Sequence, residues 1–160
     1  SRPWVLSNRI RQMVDMLTNF LKTGCLGTLK VGLTTAEVER TLGTPDLLQP
    51  WQLEQRAHAS ETWKYGALEI DFLDDRILVI GLEFRDGTRF QHPFESASEL
   101  PESLLCRSGF IEMMEQNEIP WNVDDKWTFD ERYTIKTAAG TRVAFYSDRL
   151  FTCSIRGDDF

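Results

Sequence analysis

Residues 32–46, Gly-Leu-Thr-Thr-Ala-Glu-Val-Glu-Arg-Thr-Leu-Gly-Thr-Pro-Asp, constrain the fold more than any other stretch, because both ends of a short helix are written into them. Thr34 is placed as the N-cap, and Glu37, at the third helical position, can close a capping box. Leu33 and Val38 occupy the two positions of a hydrophobic staple. Gly43 suits the left-handed conformation that ends a helix, and Pro45 forbids its continuation. Val38 and Leu42 form an apolar stripe at helical spacing. A helix over 35–42 is therefore expected.

A longer helix is expected over 7–22, where Ile10, Met13, Val14, Leu17, Phe20 and Leu21 recur on one face. Ser7 suits its N-cap and Gly24 its stop. Residues 44–60, with Pro45 and Pro50, read as a long loop with one helical turn near Gln52–Arg56. Thr62–Tyr65 reads as a strand with Trp63 and Tyr65 on one face. Leu68, Ile70 and Phe72 alternate with Glu69 and Asp71, the pattern of a half-buried strand. Asp74-Asp75 turns the chain and Ile77–Phe84 returns, with positions 78, 80, 82 and 84 on one face and Val79 on the other. Residues 91–103 read as a polar linker and Leu104–Gln116 as a helix broken at Ser108-Gly109. Pro120-Trp121 opens a loop. Trp127, Phe129, Tyr133 and Ile135 share one parity in a strand or strand pair, and Arg142–Tyr146 and Leu150–Arg156 are the last two strands.

The two halves align at their final hairpins. Ile70 to Ile77 lies over Val143 to Leu150, with apolar residues matched and an Asp-Arg pair at the same turn. Upstream, Pro50-Trp51-x-Leu53-Glu54 matches Pro120-Trp121-x-Val123-Asp124. Self-similarity of this kind indicates repeated units. The expected architecture is α+β: a tandem repeat of a helix plus a three-stranded antiparallel sheet, with an additional N-terminal helix. The N-terminal helix and connection fill 1–30, the first unit 31–90 and the second 91–160. Each unit is too small to close a core alone, so the two are expected to pack as one body.

The pattern Gly32-Leu33-Thr34-Thr35-x-Glu37-Val38, Leu42-Gly43-x-Pro45-Asp46, then Trp63-x-Tyr65-Gly66 and Leu68-x-Ile70-x-Phe72 resembles the SmpA/BamE outer-membrane lipoprotein family. It is also similar to the β-lactamase inhibitor proteins, which are tandems of such units. The similarity covers residues 32–84 and, more weakly, 108–156. The lipoprotein resemblance implies an envelope assembly module. The tandem resemblance implies a protein that inhibits another protein through its sheet and loops.

Eighteen basic residues against 25 acidic ones give a net charge of −7. That balance argues against non-specific nucleic-acid binding, which rests on neutralising phosphates. Cys25, Cys106 and Cys153 are odd in number and lack metal-ligand spacing, which points to a reducing cytoplasm. There is no apolar run long enough to span a membrane, and Ser1 to Leu6 lack the layout of a signal peptide. Nucleophilic catalysis needs a Ser or Cys with a base in reach. The only histidines, His58 and His92, fall in polar stretches, and no Gly-x-Ser-x-Gly occurs. No zinc-ligand spacing and no phosphate-binding glycine loop is present, so no metal or cofactor is expected.

Binding is what remains. The sheet's outer face is expected to carry Glu69, Asp71, Val79 and Glu83 in the first unit and Arg142, Tyr146, Thr152 and Arg156 in the second. Trp51 lies near Glu54, and Trp121 and Trp127 flank Asp124 and Asp125, giving an aromatic and acidic surface suited to a basic partner. The expectation is a non-enzymatic inhibitor, an immunity protein of bacterial type that blocks a toxin. Its expected contacts are Trp51, Glu54, Glu69, Asp71, Trp121, Asp124 and Asp125. An envelope lipoprotein-like module and a small hydrolase with a site assembled across the chain are the alternatives.

Overall fold

A computed structural model describes residues 7–51, 60–85, 89–90 and 94–157. The first helix, α1, runs Asn8–Thr23, with the Ser7 hydroxyl accepting from the Ile10 N–H and Gly24 closing it in the left-handed conformation. A Cβ at Gly24 would also push against the terminal methyl of Ile155, which would have to shift. The second helix, α2, is Thr35–Leu42, and its capping box is fully formed between Thr34 and Glu37. Gly43 follows with φ 78° and ψ −162°, so it takes a mirror-extended conformation rather than the left-handed helical one.

The described strands are β1 (Leu47–Trp51), β2 (Ser60–Tyr65), β3 (Leu68–Leu73), β4 (Arg76–Glu83), β5 (Trp121–Val123), β6 (Arg132–Thr137), β7 (Arg142–Tyr146) and β8 (Arg149–Arg156). They form one eight-stranded antiparallel sheet in the order β1-β2-β3-β4-β8-β7-β6-β5. This enlarges the expected three-stranded sheets. The segment read as a loop after Pro45 supplies β1, where Pro50 is tolerated because the strand lies at an edge. The Pro120-Trp121 loop supplies β5 at the opposite edge. Helices α3 (Glu102–Leu105) and α4 (Arg107–Gln116) meet at Cys106, two residues before the expected break. The expected linker over 91–103 contains a 3₁₀ turn at Glu95–Glu99. Trp127 belongs to another 3₁₀ turn, Asp125–Trp127, and not to the strand that holds Tyr133 and Ile135.

One face of the sheet packs into the core. Ile70, Phe72, Ile80, Leu82, Ile135, Val143, Phe145 and Cys153 join Leu17, Phe20 and Leu21 of α1, Val38 of α2 and Phe110 of α4 in one cluster. The alternation expected for β4 breaks at Leu78. Asp71 pairs with Val79 but Phe72 pairs with Ile77, so Leu78 is the extra residue of a bulge and Ile77 turns inward in its place. A second bulge falls at the aligned site, where Ala144 pairs with Thr152 but Phe145 pairs with Leu150.

The turns that follow also match. Asp74 and Asp75 have φ 51° and 64°, and Ser147 and Asp148 have φ 47° and 64°. A helix start is bound to each turn in the same way. Thr34 bridges Arg76 and the Thr35 N–H donates to the Asp75 carbonyl at 3.3 Å. Cys106 bridges Arg149 and the Arg107 N–H donates to the Asp148 carbonyl at 2.8 Å. At the centre of the sheet Gly81 pairs with Ser154. Each is the same distance along its own half from the aligned Ile70 and Val143.

Candidate functional site

Because Leu68, Ile70 and Phe72 of β3 face the core, strand geometry sends Glu69 and Asp71 to the other face. The same alternation brings Val79, Gly81 and Glu83 of β4 and Thr152 and Ser154 of β8 beside them. This face holds a groove of about 550 Å³ bounded by Asp71, Val79, Trp127, Arg132, Arg142 and Arg156. A second hollow of about 210 Å³ holds Glu69, Gly81 and Glu83, and the two share Asp71, Val79, Thr152 and Ser154. The depression exists because its floor is built of small side chains. Gly81 sits opposite Ser154, and Ala144 opposite Thr152.

Charge divides along this face. Glu69, Asp71 and Glu83 lie toward β3 and β4, and Arg132, Arg142 and Arg156 toward β6, β7 and β8. Burial pushes the Glu69 carboxyl above its ordinary range; Lys64, 3.9 Å away, opposes this, while the negative charges of Asp71 and Glu83 add to it. Burial likewise raises Asp71, offset in part by the Thr62 hydroxyl donating to it at 2.7 Å and by Arg156 and Lys64. A raised carboxyl is ionised only above its shifted pKa. Its attraction for a cation is therefore present above that raised value and lost as pH falls through it.

Trp127 forms a wall of the groove and is 40% exposed. Its backbone is clipped to β6. The Thr134 hydroxyl donates to the Trp127 carbonyl at 2.7 Å, and the Thr134 N–H donates to the Thr128 hydroxyl at 3.0 Å. Lys126 and Arg132 lie 5.6 and 5.9 Å from the ring centroid, within cation–π range.

The expected contact residues are distributed unevenly. Glu69 and Asp71 lie together in the groove. Trp121 is half-buried in β5 and packs against the core. Asp124 is half-buried and accepts from the Arg142 Nε at 2.8 Å, so it positions Arg142. Asp125 is exposed at the start of the 3₁₀ turn. Trp51 ends β1, and Glu54, His58 and His92 lie outside the described residues. Of the expected outer-face residues, Val79, Glu83, Arg142, Thr152 and Arg156 line the groove, whereas Tyr146 does not; it is exposed, paired across strands with Arg132 and 6.3 Å from the Phe151 ring. Arg132, Ala144 and Ser154 were not anticipated. For Ala144 and Ser154 the signal was available, since they alternate with Val143 and Cys153.

Cys153 is buried, which raises its thiol pKa, and Cys25 and Cys106 are half-buried free thiols. Among the described residues no group of three or more His, Cys, Asp or Glu side chains is placed to hold a metal ion. Among them no helix is long and apolar enough to cross a membrane. Comparison with protein-family models, curated proteins and solved structures finds no match to the chain.

Proposed function

We propose that the protein is a non-enzymatic inhibitor of another protein, of the bacterial immunity type, and that it engages its partner with the open face of the sheet. The supporting observation is the groove itself, a small-residue floor between an acidic side and a basic side, flanked by Trp127. Trp and Arg are the residues most often found at the energetic centre of interfaces. The occupant we assign is a protruding segment of a toxin domain. It would carry a basic side chain toward Glu69, Asp71 and Glu83 and an acidic one toward Arg142 and Arg156. Complementary charge of this kind speeds encounter and fixes register.

The tandem reading belongs to the same proposal. The mirrored strand order, the paired bulges and the two helix starts bound to Asp-Arg turns support descent from a duplicated unit of one helix and four strands. On that reading the resemblance to tandem inhibitor proteins extends to the use of the sheet face. A cytoplasmic setting fits the free thiols.

A small hydrolase is a second reading, favoured by one observation: Glu69 and Asp71 are two neighbouring carboxyls with burial-raised pKa values in a groove. One experiment separates the two. Calorimetric titration with the product of the neighbouring gene, across a pH series, is expected to show a stoichiometric complex. That complex should weaken as pH falls through the raised carboxyl range, and the Glu69→Gln/Asp71→Asn double variant should lose most of the pH dependence. A complex with the same pH profile in the variant removes these carboxylates from the interface. Absence of any complex, together with turnover lost in the variant, moves the hydrolase ahead.

A further inference from the structure

At the end of the sheet where β6 finishes, β7 begins and β8 finishes, a hollow of about 330 Å³ is lined by Lys136, Arg142 and Arg156 together with Gly140, Ile155 and Gly157. Lys136 and Arg142 are direct cross-strand partners. Like charges so placed repel, and an anion between them relieves that repulsion. Arg142 pairs with Ser154, so Arg156 stands two residues further along the adjacent strand. No carboxylate among the described residues lines the hollow. Asp124, which is not among the lining residues, holds the Arg142 guanidinium at Nε, 2.8 Å away, with only 13% of the Asp124 side chain exposed. A guanidinium oriented in this way offers its remaining N–H groups as a fixed fork. Lys136, Arg142 and Arg156 thus line one hollow, with Asp124 on Arg142 and Asp71 attracting Arg156 from the groove side.

We propose that this hollow is an oxyanion-binding site, taking the carboxylate or phosphate group of a ligand between Lys136, Arg142 and Arg156. The chemistry common to both is a compact group of two or three charged oxygens, which accepts from the Arg142 fork while the Lys136 ammonium supplies a point charge. The site does not depend on the inhibitor reading. If that reading holds, the oxyanion is an acidic side chain of the partner segment.

The test uses the full chain and two probes, inorganic phosphate and N-acetylglutamate, followed by amide chemical shifts at low ionic strength. Saturable shifts centred on residues 136–142 and 155–157 are expected, with a dissociation constant on the order of 1 mM for the better probe. Lys136 is exposed, so Lys136→Ala keeps the fold and should weaken binding on the order of tenfold. Phosphate binding more than tenfold tighter than N-acetylglutamate assigns a phosphorylated ligand, and comparable binding assigns a protein carboxylate. Asp158 and Asp159 follow in sequence, so the titration is repeated with both changed to Asn, which should leave binding equal or tighter. The proposal is overturned if neither probe saturates in either background, if chloride at matched ionic strength reproduces the shifts, or if Lys136→Ala binds as the wild type does.

Discussion

Phe145→Ala should lose about 3–5 kcal/mol of stability, the range for emptying a buried phenylalanine site. Phe145 is 0% exposed and lies edge-on to Phe110 of α4, with ring centroids 5.6 Å apart and planes at 75°. Aromatic pairs in this geometry add about 0.5–1.5 kcal/mol to the area term. Phe145 stands directly at the β7–β8 bulge, where the register shifts. Its neighbour Ala144 points to the opposite face and lines the groove, so relaxation around the cavity would disturb the floor as well. Urea denaturation of the variant checks the magnitude. A loss below about 1 kcal/mol would mean that α4 is not packed on β7 as described.

Gly109→Ala should cost about 3 kcal/mol, the upper part of the range for forced overpacking. Gly109 is in the first turn of α4, and a Cβ there would fall on the carbonyl oxygen of Ser103 in α3. The obstacle is backbone, so a rotamer change cannot relieve it. The elbow at Cys106 would have to open, and that elbow is what bridges Arg149 and sets the Arg107 N–H on the Asp148 carbonyl at 2.8 Å. Thermal unfolding followed by far-ultraviolet dichroism reads the loss. A variant as stable as the wild type would show that α3 and α4 are not in this close contact.

How far the sequence discloses this molecule depends on the range of the interaction. The ends of α1 and α2 are local chemistry, Ser7 with Gly24 and Thr34 with Glu37, and they are legible from the sequence alone. So is the split between Ile70 and Asp71, since alternation needs only neighbours. Strand β1 was hidden because Pro50 is a breaker except at a sheet edge, and edge position is a property of the whole sheet. Strand β5 is three residues long and directly follows Pro120, too short for a period to register. By alternation Leu78 shares a face with Ile80, Leu82 and Phe84, and the bulge that skips it is set by pairing with β3, which the sequence does not show. The groove shows the same division. Its charged residues, Arg132 apart, are placed on the outer face one strand at a time. The pairing of β4 with β8, which puts the acidic side next to the basic side, joins residues far apart in the chain. Trp127 reached the groove through a 3₁₀ turn held by Thr128 and Thr134, which has no periodic signature.

The central claim is that the open sheet face receives a partner segment, and Gly81→Leu tests it most directly. A Cβ at Gly81 meets nothing closer than the Glu69 carbonyl oxygen at 3.9 Å, so the backbone there has room for a Cβ, and the rest of a leucine side chain would extend into the groove. The measurement is titration of the neighbouring-gene product with the wild type and with Gly81→Leu, alongside their unfolding curves. The account predicts unfolding within about 1 kcal/mol of the wild type. It also predicts an affinity at least a hundredfold lower, a difference of about 2.7 kcal/mol. Wild-type affinity in a folded Gly81→Leu variant would contradict it and place the partner on another surface.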